Sequence, residues 1–122
     1  MPLAYLIDEN LRGALAIALM RRATRYGLRL DLTQVGDAAA PPLGTLDPEL
    51  LIWAEANERI LVSRDRGTMG EHLAIHLADG RHSPGVFILR NDSLDSILEF
   101  LILAAFASDA TDWVDQLTYI PV

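Results

Sequence analysis

The 122-residue sequence contains no cysteine and no lysine. Without cysteine there is no disulfide, no zinc–thiolate site and no thiol nucleophile. Without lysine there is no Walker A phosphate loop, no Schiff base and none of the lysine a response-regulator receiver requires, although the length suits a receiver. All ten positive side chains are therefore arginine. Long apolar runs are also missing: the longest, Phe100 to Ala107, is too short to span a bilayer. The opening Met1-Pro2-Leu3-Ala4-Tyr5 lacks the basic region and apolar core of a signal peptide. The expectation is a cytoplasmic protein with no membrane partner.

What is present is a globular composition, 51% hydrophobic and 22% charged, which argues against disorder. The length corresponds to one domain over residues 1–122. The net charge is −7, yet residues 11–30 carry Arg12, Arg21, Arg22, Arg25 and Arg29 and no acid, so that segment is +5 and the remainder −12. An acidic body is not an obvious nucleic-acid binder. Arg21, Arg22 and Arg25 nevertheless form a local basic element, read either as a solvated helix face or as a track for a phosphate backbone.

Apolar periodicity predicts alternating strands and helices. Strands are expected at Leu3–Ile7, Leu28–Val35, Ile60–Ser63 and Val86–Leu89, with a fifth, edge strand at Gln116–Ile120. Helices are expected over Leu11–Tyr26, stopped by Gly27, over Pro48–Asn57 with Asp47 as N-cap, over Met69–Leu77, and from Leu94 to about Ser108, capped by Asp92 or Ser93. Gly36–Leu46 reads as a long loop. This alternation predicts an α/β three-layer sandwich, a mainly parallel sheet with helices on both faces and right-handed connections. The short apolar first strand belongs at the centre, giving the order 2-1-3-4 with the fifth strand beyond.

In that order the strand sequence reverses between strands 1 and 3, and ligands bind such sheets at the carboxyl ends beside the reversal. Asp8 follows strand 1, Asp65 follows strand 3, and Asp47 stands at the start of the intervening helix. Three carboxylates in one crevice repel unless protonated or bound to a cation. Hard oxygen donors suit Mg²⁺ or Mn²⁺, which can activate water and neutralise a phosphoryl group in transit. Taken singly, each acid is also explained as a cap or turn residue. Ser63 is expected to orient a carboxylate or a water.

The segments Leu6-Ile7-Asp8-Glu9-Asn10-Leu11, Asp47-Pro48-Glu49-Leu50-Leu51-Ile52-Trp53-Ala54 and Ile60-Leu61-Val62-Ser63-Arg64-Asp65 resemble the PIN-like superfamily. They look most like its short members, similar to VapC-type toxin nucleases. The resemblance implies a metal-dependent endoribonuclease, the toxin of a toxin–antitoxin pair. Asp8, Asp47 and Asp65 would be its catalytic and metal-binding acids, and Glu9, Asn10 and Ser63 would support them. The family commonly has Asp-Phe shortly after the strand 3 aspartate, where this chain has Arg66-Gly67-Thr68-Met69. Glu9, Asp37 or Glu71 are the acids available to compensate. The alternative is a catalytically weak or inactive PIN-like module that binds a partner protein.

Two further features carry expectations. His72 and His76 stand at i and i+4, a spacing that can bind zinc, but Leu73 replaces the glutamate of a zincin helix, so they are read as a surface pair. The helix Leu94–Ala107 is apolar nearly all round, which predicts a homo-oligomer interface or an antitoxin groove, or else a helix buried in the domain's own core.

Overall fold

The computed structural model describes residues 2–122. The chain runs β1 (Ala4–Ile7), α1 (Ala14–Arg25), β2 (Asp31–Gln34), α2 (Asp47–Ala56), β3 (Ile60–Ser63), α3 (Met69–Ala78), β4 (Val86–Leu89), α4 (Leu94–Ala107) and β5 (Leu117–Ile120). Short 3-10 turns occupy Glu9–Leu11 and Ala110–Asp112. The strands form one sheet in the order β2-β1-β3-β4-β5, every pair parallel.

Strand alternation sorts the side chains onto two faces. Tyr5, Ile7, Val62 and Phe87 point toward α1 and α4, where they meet Leu15, Leu19, Leu98 and Leu101. Leu6, Leu61, Val86 and Ile88 point the other way, against Leu50, Leu51, Met69 and Leu73 of α2 and α3. Both faces are covered, so β1, β3 and β4 are apolar runs rather than one-sided stripes. The edge strands β2 and β5 are largely half-exposed or exposed.

Two helices on each face impose one departure from the expected chirality. β1–α1–β2 moves across the sheet in one direction and uses one face, while β2–α2–β3 and β3–α3–β4 move in the other direction and use the other face. β4–α4–β5 continues in that second direction but returns to the α1 face, so its hand is opposite to that of the other three. The reason is coverage. α4 lies over β1 as well as β4: the Tyr5 hydroxyl donates to the Leu101 carbonyl at 2.7 Å, and the Leu3 amide donates to Ala105 at 3.0 Å. Phe87 also stacks edge-on with Phe100 and Trp113.

This placement accounts for the apolar character of α4. Ile97, Leu98, Leu101, Ile102, Ala104 and Ala105 are buried within the chain's own core. Leu94 (52%) and Leu103 (66%) remain exposed, and at 3.6 residues per turn they stand on opposite sides of the helix, about 180° apart. The expected continuous exposed row through Leu94, Leu98, Leu101, Leu103 and Phe106 is therefore not formed, which removes the support for a homo-oligomer through Leu94–Ala107. No helix among the described residues is long and apolar enough to cross a membrane.

Other boundaries shift for local reasons. α1 starts at Ala14 because the Glu9–Leu11 turn and Gly13, at φ +99°, intervene. β2 begins at Asp31 because the Leu28 amide is still bonded to the Ala23 carbonyl at the end of α1.

Candidate carboxylate site at the carboxyl ends of β1 and β3

The reversal of strand order falls between β1 and β3, and Asp8 and Asp65 follow those two strands. Asp8 continues the ladder, its amide donating to the Val62 carbonyl at 2.9 Å. The side chain is therefore fixed beside the end of β3 and is buried. Its Oδ1 accepts the Glu9 amide at 2.7 Å, and its Oδ2 accepts the Ser63 hydroxyl at 2.7 Å.

Ser63 is fully buried and links the two strand ends. Besides donating to Asp8, its Oγ accepts the Asp65 amide at 3.1 Å and lies 3.4 Å from the Asn10 amide nitrogen. Asn10 reaches back across the same junction, its Oδ1 lying 3.4 Å from the Arg64 amide.

Asp65 turns its carboxylate into its own loop. Oδ1 accepts the Gly67 and Thr68 amides at 2.8 and 3.2 Å, and Oδ2 accepts the Thr68 hydroxyl at 2.8 Å. These bonds, led by the Thr68 hydroxyl, hold its carboxyl below the usual carboxylate range.

Asp47 behaves in the opposite way. It is the first residue of α2 rather than its cap; the N-cap is Leu46, which has no side-chain acceptor to offer. Capping therefore does not account for Asp47. Burial raises its carboxyl above the ordinary value, and the charges of Asp8 and then Asp65 raise it further. His72, with Nε2 3.8 Å from Asp47 Oδ2, works against that rise. The crevice thus brings together Asp8, Asp47 and Asp65, together with His72.

The surrounding loop is tied to the same rim. Glu9 accepts the Gly44 amide at 2.8 Å, and Arg12 bonds both the Val35 carbonyl, at 2.9 Å, and Asp37, at 2.8 Å. Gly36 closes this loop at φ +98°, where a Cβ would come within 2.8 Å of Leu43. Glu9 and Asp37 are thereby occupied in holding the 36–46 loop.

Donor chemistry at the crevice suits a hard divalent cation: three carboxylates, one of them destabilised in its charged form by the other two. As positioned, no group of three His, Asp or Glu side chains among the described residues forms a closed metal-binding arrangement.

The remaining sequence candidates are dispersed. The Arg22 guanidinium pairs with Asp95 and, at 3.1 Å, with Glu99 on α4. Arg21 and Arg25 are exposed on α1. That helix leads away from the carboxyl-end rim, placing residues 21–25 about 10–16 Å along its axis from Ala14. His72 and His76 are not a surface pair. His76 is buried, its Nε2 2.8 Å from the His82 carbonyl and 3.1 Å from Glu55.

Sequence reasoning missed His72 and Thr68 as neighbours of the site. The Asp-x-x-Thr spacing from Asp65 to Thr68 was a readable signal for a side-chain-bonded turn; His72 had none. No family model matches the chain, and no curated protein or solved structure matches it.

Proposed function

We propose that the protein is a metal-dependent endoribonuclease of the PIN-like type, the toxin of a toxin–antitoxin pair. The observation that carries this reading is the raised carboxyl of Asp47, pushed up by burial and by the charges of Asp8 and Asp65, at the point where strand order reverses. Clustered acids with a destabilised charged form are a recognised mark of a functional site.

In this reading Asp8, Asp47 and Asp65 hold Mg²⁺ or Mn²⁺. When bound, the ion supplies an activated water and charge neutralisation at a phosphodiester. Ser63 fixes the orientation of Asp8 by donating to Oδ2. Asn10 ties the ends of β1 and β3 together, and the Glu9–Gly44 bond keeps the 36–46 loop at the rim. His72 stands beside Asp47, its Nε2 3.8 Å from Oδ2.

A specific observation favours a second reading. Both oxygens of Asp65 are engaged within its own turn, bonds that compete with a metal and favour a PIN-like module that binds a partner protein without turnover. Incubating wild type and Asp8→Asn with a panel of end-labelled RNAs and Mn²⁺ separates the two. The nuclease reading expects cleavage by wild type and none by Asp8→Asn. Absence of cleavage across the panel supports the binding module, and equal cleavage by both proteins refutes the site.

A further inference from the structure

A cleft of about 360 Å³ opens at the carboxyl ends of the strands, between the first turns of α1 and α4. Its walls include Leu11, Ala14, Leu89, Leu94 and Ile97, with Asn10 and Arg64 at one side. Such a volume lies within the range of small-ligand clefts. Leu94, at the first turn of α4, is 52% exposed.

The cleft adjoins the carboxylate crevice through Asn10 and Arg64, which line it. Asn10 is shared between them, 3.4 Å from Ser63 Oγ on one side and 3.4 Å from the Arg64 amide on the other. Charge at the cleft is also distinctive. Arg12 is committed to Asp37 and the Val35 carbonyl. Arg64 is exposed, and none of the ion pairs among the described residues includes it. The one acid on the wall, Asp92, turns its carboxylate to the Ser93 amide at 2.7 Å. An uncommitted cation thus stands between an apolar slot and a carboxylate cluster, on a protein that is otherwise net negative.

We infer that this cleft is a nucleotide subsite. It seats the base of one residue of a single-stranded RNA against Leu11, Leu94 and Ile97. Arg64 contacts the phosphate joining that residue to the one at the carboxylate centre. The apolar walls shield a seated base from water, and the guanidinium pairs with its backbone phosphate. The inference rests on the ribonuclease reading for the identity of the ligand. It moves the polyanion's route from α1 to the rim itself.

The test is binding of a fluorescein-labelled oligoribonucleotide in EDTA, read by anisotropy across salt, beside cleavage of the same RNA with Mn²⁺. Arg64→Gln removes one phosphate contact, so its log–log salt slope should be shallower by about 0.7, and wild type should lose about threefold more affinity than Arg64→Gln between 50 and 200 mM salt. Ala14→Trp fills the slot from an exposed position and should weaken binding several-fold at every salt, because the apolar contact of the seated base is lost. Arg29→Gln, on the loop between α1 and β2, should leave both unchanged.

If Arg64→Gln and Ala14→Trp bind as wild type does, or if wild type binds no RNA, the subsite is overturned. Cleavage by wild type with the same rate and cut positions in both variants overturns the subsite and leaves the nuclease reading standing. Binding that both variants weaken, without cleavage by wild type, sustains the subsite while the nuclease reading fails.

Discussion

Replacing Ser63 with alanine tests the joint on which the carboxylate crevice is built. The hydroxyl donates to Asp8 Oδ2 at 2.7 Å and accepts the Asp65 amide at 3.1 Å, with Asn10 Nδ2 at 3.4 Å contributing little. Ser63 is 0% and Asp8 5% exposed, so water cannot replace the lost partner without opening the site. A charge-assisted hydrogen bond contributes about 1.5–3 kcal/mol and a neutral one about 0.5–1.5 kcal/mol. Because the two share one oxygen and do not add fully, Ser63→Ala should cost about 2–3 kcal/mol. In urea the midpoint should fall by about 1 M or more with the slope unchanged. Asp8→Asn in the same background isolates the pair: the coupling between positions 8 and 63 should be about 1 kcal/mol or larger. A loss below about 0.5 kcal/mol at unchanged slope, or a coupling indistinguishable from zero, would show that the hydroxyl does not hold Asp8.

Other expectations follow from the charges. Asp47 has a raised carboxyl, so its ionised form opposes folding above that folded value, and the penalty disappears below the ordinary value. Asp47→Asn should therefore be at least as stable as wild type in urea at pH 7.5, with the difference shrinking as the pH falls; a variant less stable at pH 7.5 contradicts the repulsion. His82 is raised by its bond to Asp115, whose Oδ2 lies 2.9 Å from Nδ1. Its contribution is complete below the ordinary histidine value and is lost as the pH rises through the higher folded value. His82→Gln should remove that part of the pH dependence, read as the change in melting temperature between pH 5.5 and 8.5; an unchanged profile would show that the ion pair is not felt.

Much of this architecture was legible in the sequence. β3 and β4 match their expected bounds, Ile60–Ser63 and Val86–Leu89, because apolar runs buried on both faces end at polar or glycine residues. α4 starts where Ser93 caps it, its hydroxyl accepting the Ser96 amide. The strand order and the fifth strand also agree with the structure. What was hidden depends on contacts distant in sequence. Periodicity on α1 could not show that Arg22 meets Asp95 and Glu99 on α4, or that His76 is buried against the His82 carbonyl. The apolar surface of α4 looked like an interface because the sequence does not reveal that this helix crosses back over β1. At the site, the convergence of Asp8, Asp47 and Asp65 was readable from topology. Asp47 reads locally as a cap before Pro48, whereas Leu46 takes the cap position in the fold.

The most direct measurement of the central claim is calorimetric titration of Mn²⁺ into wild type, Asp8→Asn and Asp65→Asn at pH 7.5. If Asp8, Asp47 and Asp65 form one divalent-cation site, wild type should bind a single equivalent saturably, and each variant should lose that binding while still melting cooperatively. Wild type without a saturable isotherm, or folded variants that bind Mn²⁺ as wild type does, would contradict it.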